Sequence, residues 1–175
     1  MTNDAMEEKS YPRSANPSEV HEAAIDYGVQ RHLKIAHLLN QKNIKISTKS
    51  TASSDYAILS MIKAGVSKSA LLKVGQELGL TLDDLCQLFH ISPRTVQRKG
   101  EEDTLGPEVS ERVIELATVI IKGQEVLGSK DALRLWIQHE ILALGGKRPI
   151  DLLDSSYGIR MILDVLSRIE HGIYS

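Results

Sequence analysis

Cysteine is nearly missing from this sequence. Cys86 is the single one in 175 residues, which excludes an intramolecular disulfide and fits a reducing compartment. Aromatic residues make up 4% of the chain, with one Trp and one Phe. The core must therefore come from Leu and Ile, which suits helix packing. There is no apolar run long enough to span a bilayer. There is also no basic-then-apolar leader at the polar, acidic N-terminus. These absences lead us to expect a soluble protein of the cytoplasm. The formal net charge is −2, so the chain is no general binder of polyanions, and any nucleic-acid contact must be local. Signs of catalysis are missing too. His32 and His37 lack a familiar metal-ligand spacing, and His139 and Glu140 are adjacent, so they do not face one site on a helix. No glycine-rich phosphate loop follows a strand. We expect no enzyme, no cofactor and no metal.

What is present begins with the stretch LTLDDLCQLFHISPRTVQRK, residues 80–99. Thr81 can cap a helix with its hydroxyl, and Asp84, three residues on, can reach back to complete a capping box. Leu82, Leu85, Leu88 and Phe89 mark one face of that helix. His90 and Ile91 make a turn. Ser92 then caps a second helix with Pro93 at its first position, where a missing N–H costs nothing. Cys86 is the small residue that lets the two helices bend together, and Val96 holds the second helix to the core. His90 stands where a positive φ, and hence glycine, is expected. The pattern is a helix-turn-helix. Ser92, Arg94, Thr95, Gln97, Arg98 and Lys99 lie at or beyond the second helix's N-terminus and can hydrogen-bond phosphates and base edges. They are the candidate DNA-binding residues.

The rest of the chain reads as helices. Residues 1–17 are polar, contain two prolines and show no periodicity, so a disordered tail is expected. Residues 18–54 form an N-terminal helix and a linker. Ser18 caps the helix, Val20, Ala23, Ala24, Tyr27, Leu38 and Leu39 make contacts, and His32 and Lys34 interrupt the stripe. Ile44 and Ile46 then alternate with polar residues, as in an edge strand or an extended linker. Residues 55–104 read as a compact four-helix unit. Tyr56, Leu59 and Ile62 come first, then Gly65 as a stop, a helix through Leu71, Leu72 and Leu78 to Gly79, and the motif. GEEDT (100–104) follows as an acidic hinge. Residues 105–175 form a second unit. Pro107 opens a long helix with Val109, Val113, Leu116, Ala117, Ile120 and Leu127. Ser129 caps a helix carrying Ala132, Leu133, Leu135, Trp136 and Leu142, which Gly145-Gly146 ends. Pro149–Leu153 makes a short helical turn. Ser155 starts a last helix with Ile159, Ile162, Leu163, Leu166 and Ile169 on one face, an Asp164–Arg168 pair and a stop at Gly172. The fold class is all-α.

The C-terminal residues carry a resemblance. Residues 143–153 (ALGGKRPIDLL), then Ser156-Tyr157-Gly158, then residues 166–173 (LSRIEHGI) resemble the signature of Xre/MbcA/ParS-type antitoxins. Pro107–Arg112, residues 125–128, Trp136 and the helix-turn-helix of residues 91–98 are similar to the corresponding parts of that family. The resemblance covers roughly residues 55–175. Gln138-His139-Glu140-Ile141 departs from it, since the family more often has a proline–asparagine pair there. The resemblance implies a function that composition could not show. It implies the antitoxin half of a toxin–antitoxin pair, partnered by a RES-domain toxin that consumes NAD or uses it to modify a target. The C-terminal domain would cover the toxin's active site, and the helix-turn-helix would bind the operon's own promoter as a homo-oligomer. Lys147, Arg148, Arg168, Glu170, His171, Gly172, Ile173, Tyr174 and Ser175 become the toxin-facing candidates. The alternative is a plain DNA-binding transcriptional regulator with a C-terminal dimerisation domain.

Overall fold

The computed structural model describes residues 29–40 and 51–172. The expected tail, the first part of the N-terminal helix and the Ile44/Ile46 segment lie outside the described residues, as do Ile173, Tyr174 and Ser175. Residues 29–38 are helical (α1). The helices that follow are α2 (Thr51–Ala64), α3 (Lys68–Leu78), α4 (Leu82–Leu88), α5 (Pro93–Gln97), α6 (Pro107–Leu127), α7 (Lys130–Gln138) and α8 (Ser156–Glu170). Two 3-10 turns, Leu142–Leu144 and Pro149–Leu152, separate α7 from α8. No strand occurs among the described residues, only two isolated bridges, Ser67 with Thr104 and Ile141 with Lys147.

The helix α6 is the centre of the packing and touches α2, α3, α7 and α8. Between Val113 and Gly123 every residue except Glu115 and Thr118 is buried. The expected stripe of Val113, Leu116, Ala117 and Ile120 is therefore only part of it, because Ile114, Val119 and Ile121 are buried as well. A helix that is apolar nearly all round is one enclosed by neighbours. Ser110 lies inside the same helix at 0% exposure. Its hydroxyl is satisfied by donating to the Gly106 carbonyl at 2.9 Å and accepting from the Val66 N–H at 2.9 Å.

The local signals hold where they are local. Ser67, Thr81, Ser92, Ser129 and Ser155 each accept a backbone N–H three residues on, as N-caps. Helix α3 ends at Gly79, and α8 closes through Gly172 with its N–H donating to the Ile169 carbonyl.

Other expectations need correction. Tyr56 and Leu59, which mark the helical pattern from residue 55, lie on the outer side of α2. They are 68% and 48% exposed, while Ala57 and Met61 are buried. Helix α2 already begins at Thr51. His32 does not interrupt the stripe of α1 but lies within it at 6% exposure. GEEDT is not a hinge. Lys68 and Ser69 N–H donate to the Asp103 and Glu101 carbonyls at 3.0 Å each, and Leu105 N–H donates to the Val66 carbonyl at 2.8 Å. The loop therefore caps the start of α3, whose first N–H groups need partners.

Helix α7 stops at Gln138, well before Gly145-Gly146. Its end is set by pairing of Ile141 with Lys147, a contact that no proline or glycine at 139 announces. Leu135 and Leu142 consequently point away from the core. Asp164 and Arg168 form no ion pair among the described residues; Glu170 pairs with Lys122 instead, at 2.5 Å.

The two halves are riveted by polar contacts. Glu77, at the end of α3, accepts from Lys130 at 2.9 Å and from Gln124 at 3.1 Å. The Arg134 guanidinium donates to the Glu77 carbonyl at 3.1 Å and to that of Gln76. A cation there also suits the negative end of the α3 dipole. Within the C-terminal half, Arg112 donates to the Leu153 carbonyl at 2.8 Å. Gly158, at the start of α8, lies under the preceding turn. An added Cβ would stand 2.0 Å from the Leu152 carbonyl oxygen.

Candidate functional site

Two surfaces collect the candidate residues. The first is built by α4 and α5. The capping box forms as the sequence suggests, with Thr81 N–H donating to Asp84 Oδ2 at 2.8 Å and Asp84 N–H donating to Thr81 Oγ1 at 3.2 Å. The hydrogen bonds from the Thr81 hydroxyl and N–H hold the Asp84 carboxyl below its ordinary value. His90 sits at φ 53°, the left-handed conformation the turn requires. Such a φ is uncommon outside glycine, though histidine tolerates it better than most residues. The Ile91 N–H closes the turn onto the Cys86 carbonyl at 3.0 Å. Burial pushes the Cys86 thiol up, with Asp83 adding to the effect, so it is a packing residue and a poor nucleophile.

Helix α5 has five residues and one buried side chain, Val96 at 0% exposure. That single anchor leaves Ser92, Arg94, Thr95, Gln97 and Arg98 exposed. Arg94 and Arg98 are one turn apart and share a face. The hydroxyls of Ser92 and Thr95 are 2.8 Å apart and bond to each other. Lys99 differs from the rest, because its ammonium donates to the Thr104 carbonyl at 2.7 Å and braces the loop before α6. The structure thus gathers the expected set on one outward face, with Lys99 turned to a folding task.

The second surface belongs to the C-terminal half, and here the expected set divides. Lys147 and Arg148 lie just before the Pro149–Leu152 turn, which packs on the first turn of α8. Arg148 forks onto Asp151, Nε to Oδ2 at 2.8 Å and Nη2 to Oδ1 at 2.6 Å. The hydrogen bond from Arg148 holds the Asp151 carboxyl low, and the same pair raises the guanidinium. Arg168, Glu170, His171 and Gly172 lie at the other end of α8, roughly 20 Å away at 1.5 Å per residue. Glu170 accepts from Lys122 at 2.5 Å and stands 3.8 Å from His171 Nε2. A cleft of about 490 Å³ opens there, lined by Arg31, Lys122, Leu163, Ser167, Glu170 and His171.

Sequence reading missed the apolar part of this surface. Leu142 is 91% exposed, and Leu135 and Tyr157 are also largely in solvent. Arg160 lies over the Tyr157 ring at 5.6 Å from its centroid. Leu135 and Leu142 were hidden from sequence reading because both fall where a longer α7 would place apolar residues. Among the described residues there is no group of three or more His, Cys, Asp or Glu side chains able to hold a metal ion. No helix among them is long and apolar enough to cross a membrane.

Comparison with known proteins joins the two surfaces to two domain types. Residues 57–117 match the antitoxin Xre-like helix-turn-helix domain. Residues 122–172 match the antitoxin Xre/MbcA/ParS C-terminal toxin-binding domain. The chain is 28% identical over 127 residues to a Sphingobium protein named Prs ADP-ribosylating antitoxin, covering 67% of this chain and 80% of that one. It is 25% identical over 126 residues to Antitoxin Xre of Yersinia enterocolitica, covering 71% and 85%. A chain in the crystal structure of the M. tuberculosis MbcT–MbcA toxin–antitoxin complex aligns with 24% identity and a TM-score of 0.47, over 62% of this chain and 96% of that chain.

Proposed function

We propose that this chain, which belongs to the Xre/MbcA/ParS antitoxin family, neutralises a RES-domain, NAD-consuming toxin and represses its own operon. Its family makes it an antitoxin with a toxin-binding domain, and a binder of a toxin where an enzyme would carry a reaction. The observation that carries the proposal is the coexistence of two exposed surfaces of different chemistry in one molecule. The cationic face of α5 suits promoter DNA, since Arg reads guanine through a bidentate contact. The C-terminal surface, from the turn after α7 to the end of α8, suits a protein. In this reading residues 55–104 bind DNA, residues 105–175 bind the toxin, and both activities belong in the cytoplasm. Lys147, Arg148, Arg168, Glu170 and His171 are the described polar contacts to the toxin. Gly172 ends α8, and Ile173, Tyr174 and Ser175, outside the described residues, complete the candidate set.

A single helix-turn-helix of this size meets one half-site, so a homo-oligomer on DNA is part of the proposal. The long helix α6 is a poor source for the contact between copies, because its middle is enclosed. Leu33, Tyr56 and Leu59 on α1 and α2 are exposed and are better candidates.

The test is expression of the neighbouring reading frame alone and with this chain. Growth arrest with NAD loss in the first case, relieved in the second together with copurification, is the expected result. Arrest that this chain does not relieve would leave a plain transcriptional regulator.

A further inference from the structure

We propose that Leu142 is the apolar anchor by which this chain docks into a hydrophobic socket on its toxin, an inference that rests on the antitoxin reading above. Leu142 is the most exposed of the large hydrophobic side chains among the described residues, at 91% against 41–68% for the others. Its position is fixed all the same. Ile141 N–H donates to the Lys147 carbonyl at 3.1 Å, Leu144 N–H to Ile141 at 2.9 Å, Gly145 N–H to Leu142 at 2.9 Å and Gly146 N–H to Ile141 at 3.1 Å. Leu144, two residues on, is buried at 3% exposure and pins the turn to the core.

Gly145 and Gly146 take φ values of +70° and +75°, and an added Cβ on either would meet nothing within 4 Å. The glycines therefore serve the backbone path and not a close approach. The result is a built turn that holds one aliphatic side chain in water. Folding gains nothing from that exposure, and binding loses little entropy to a turn already ordered.

Near it in sequence, Glu140, Lys147, Arg148 and Asp151 are all exposed and of both signs. An exposed aliphatic side chain in a stretch that also exposes charges of both signs suits a protein–protein contact. Promoter DNA offers no socket for Leu142 and would repel Glu140. The occupant is the toxin because the turn lies inside residues 122–172, the stretch matched to the toxin-binding domain. Leu135, 63% exposed on the helix that leads into the turn, is a second exposed aliphatic side chain in the same stretch.

The experiment uses the full chain and the protein encoded by the adjacent reading frame, with affinity measured by calorimetry. Leu142→Asp is expected to weaken the complex by about a hundredfold, and Leu142→Met by less than about fivefold, since it keeps the buried apolar area. Promoter binding and the thermal midpoint of both variants should match the wild type. Affinity for Leu142→Asp within about threefold of wild type overturns the proposal. A lowered midpoint also overturns it, by showing that Leu142 serves its own fold. Loss of self-association with toxin binding intact would assign the turn to a second copy of the chain and overturn it too. If the wild-type chain itself fails to bind, the antitoxin reading falls first and this surface falls with it.

Discussion

The second helix of the helix-turn-helix, α5, and the turn after α7 are built alike and display different side chains. Each is a short segment held by one buried aliphatic side chain, Val96 at 0% and Leu144 at 3% exposure. Each is stiffened by backbone hydrogen bonds within a few residues. What they present differs. Helix α5 offers two guanidinium groups and several hydrogen-bonding side chains, whereas the turn offers Leu142, an exposed aliphatic side chain. A scaffold can thus be indifferent to what it displays, and the displayed chemistry decides the partner. Counterions released from phosphates when Arg side chains replace them make binding fall with salt. An aliphatic group entering a socket makes binding nearly salt-independent.

Removing what the two regions share should have the largest effect. Leu116 is fully buried in α6, which packs against both the helices before it and those after it. Leu116→Ala should lower unfolding free energy by about 2–5 kcal/mol, through lost transfer energy and a residual cavity. Denaturant unfolding would measure it, and promoter and toxin binding should fail together as temperature rises. Failure of one long before the other would mean that the halves unfold independently.

A smaller effect should separate the regions. Arg94→Ala with Arg98→Ala should weaken promoter binding and make the slope of log affinity against log salt shallower by roughly 2, at about 0.9 per lost phosphate contact. Toxin binding should not change. An unchanged salt slope in the double variant would leave α5 as a folding unit and dissolve the contrast.

The smallest expected effect is one of pH. Burial, aided by Arg31, pushes the His32 imidazole below its ordinary value of 6.5, and exposed Asp55 at 3.7 Å opposes this only in part. His32 Nδ1 has no hydrogen-bond partner among the described residues. The folded state therefore holds this group neutral where the unfolded chain would protonate it. Its contribution to stability is complete above pH 6.5 and is lost as pH falls from there through the lower folded value. His32→Gln should flatten the stability profile below pH 6.5, as read by thermal midpoints. An equally steep fall in that variant would point to other groups.

The sequence by itself determined the features that close within one turn of helix. Thr81 with Asp84, Ser92 before Pro93, Ser129 and Ser155 are caps three residues deep, so side chain and partner are both in view along the chain. The burial of Cys86 and Val96 and the positive φ at His90 followed from the same local pattern.

What only the tertiary structure decided depends on partners far away in sequence. The loop 100–104 is ordered because residues 66–69, more than thirty positions earlier, take up its backbone groups. Met61 faces inward and Tyr56 outward because α6 lies on one side of α2. Helix α7 ends where residue 147 returns to pair with 141, and that return is what leaves Leu142 in water. Periodicity tells which residues can share a face, but not which face another helix will cover. At Leu142 that difference decides between a core residue and an exposed one.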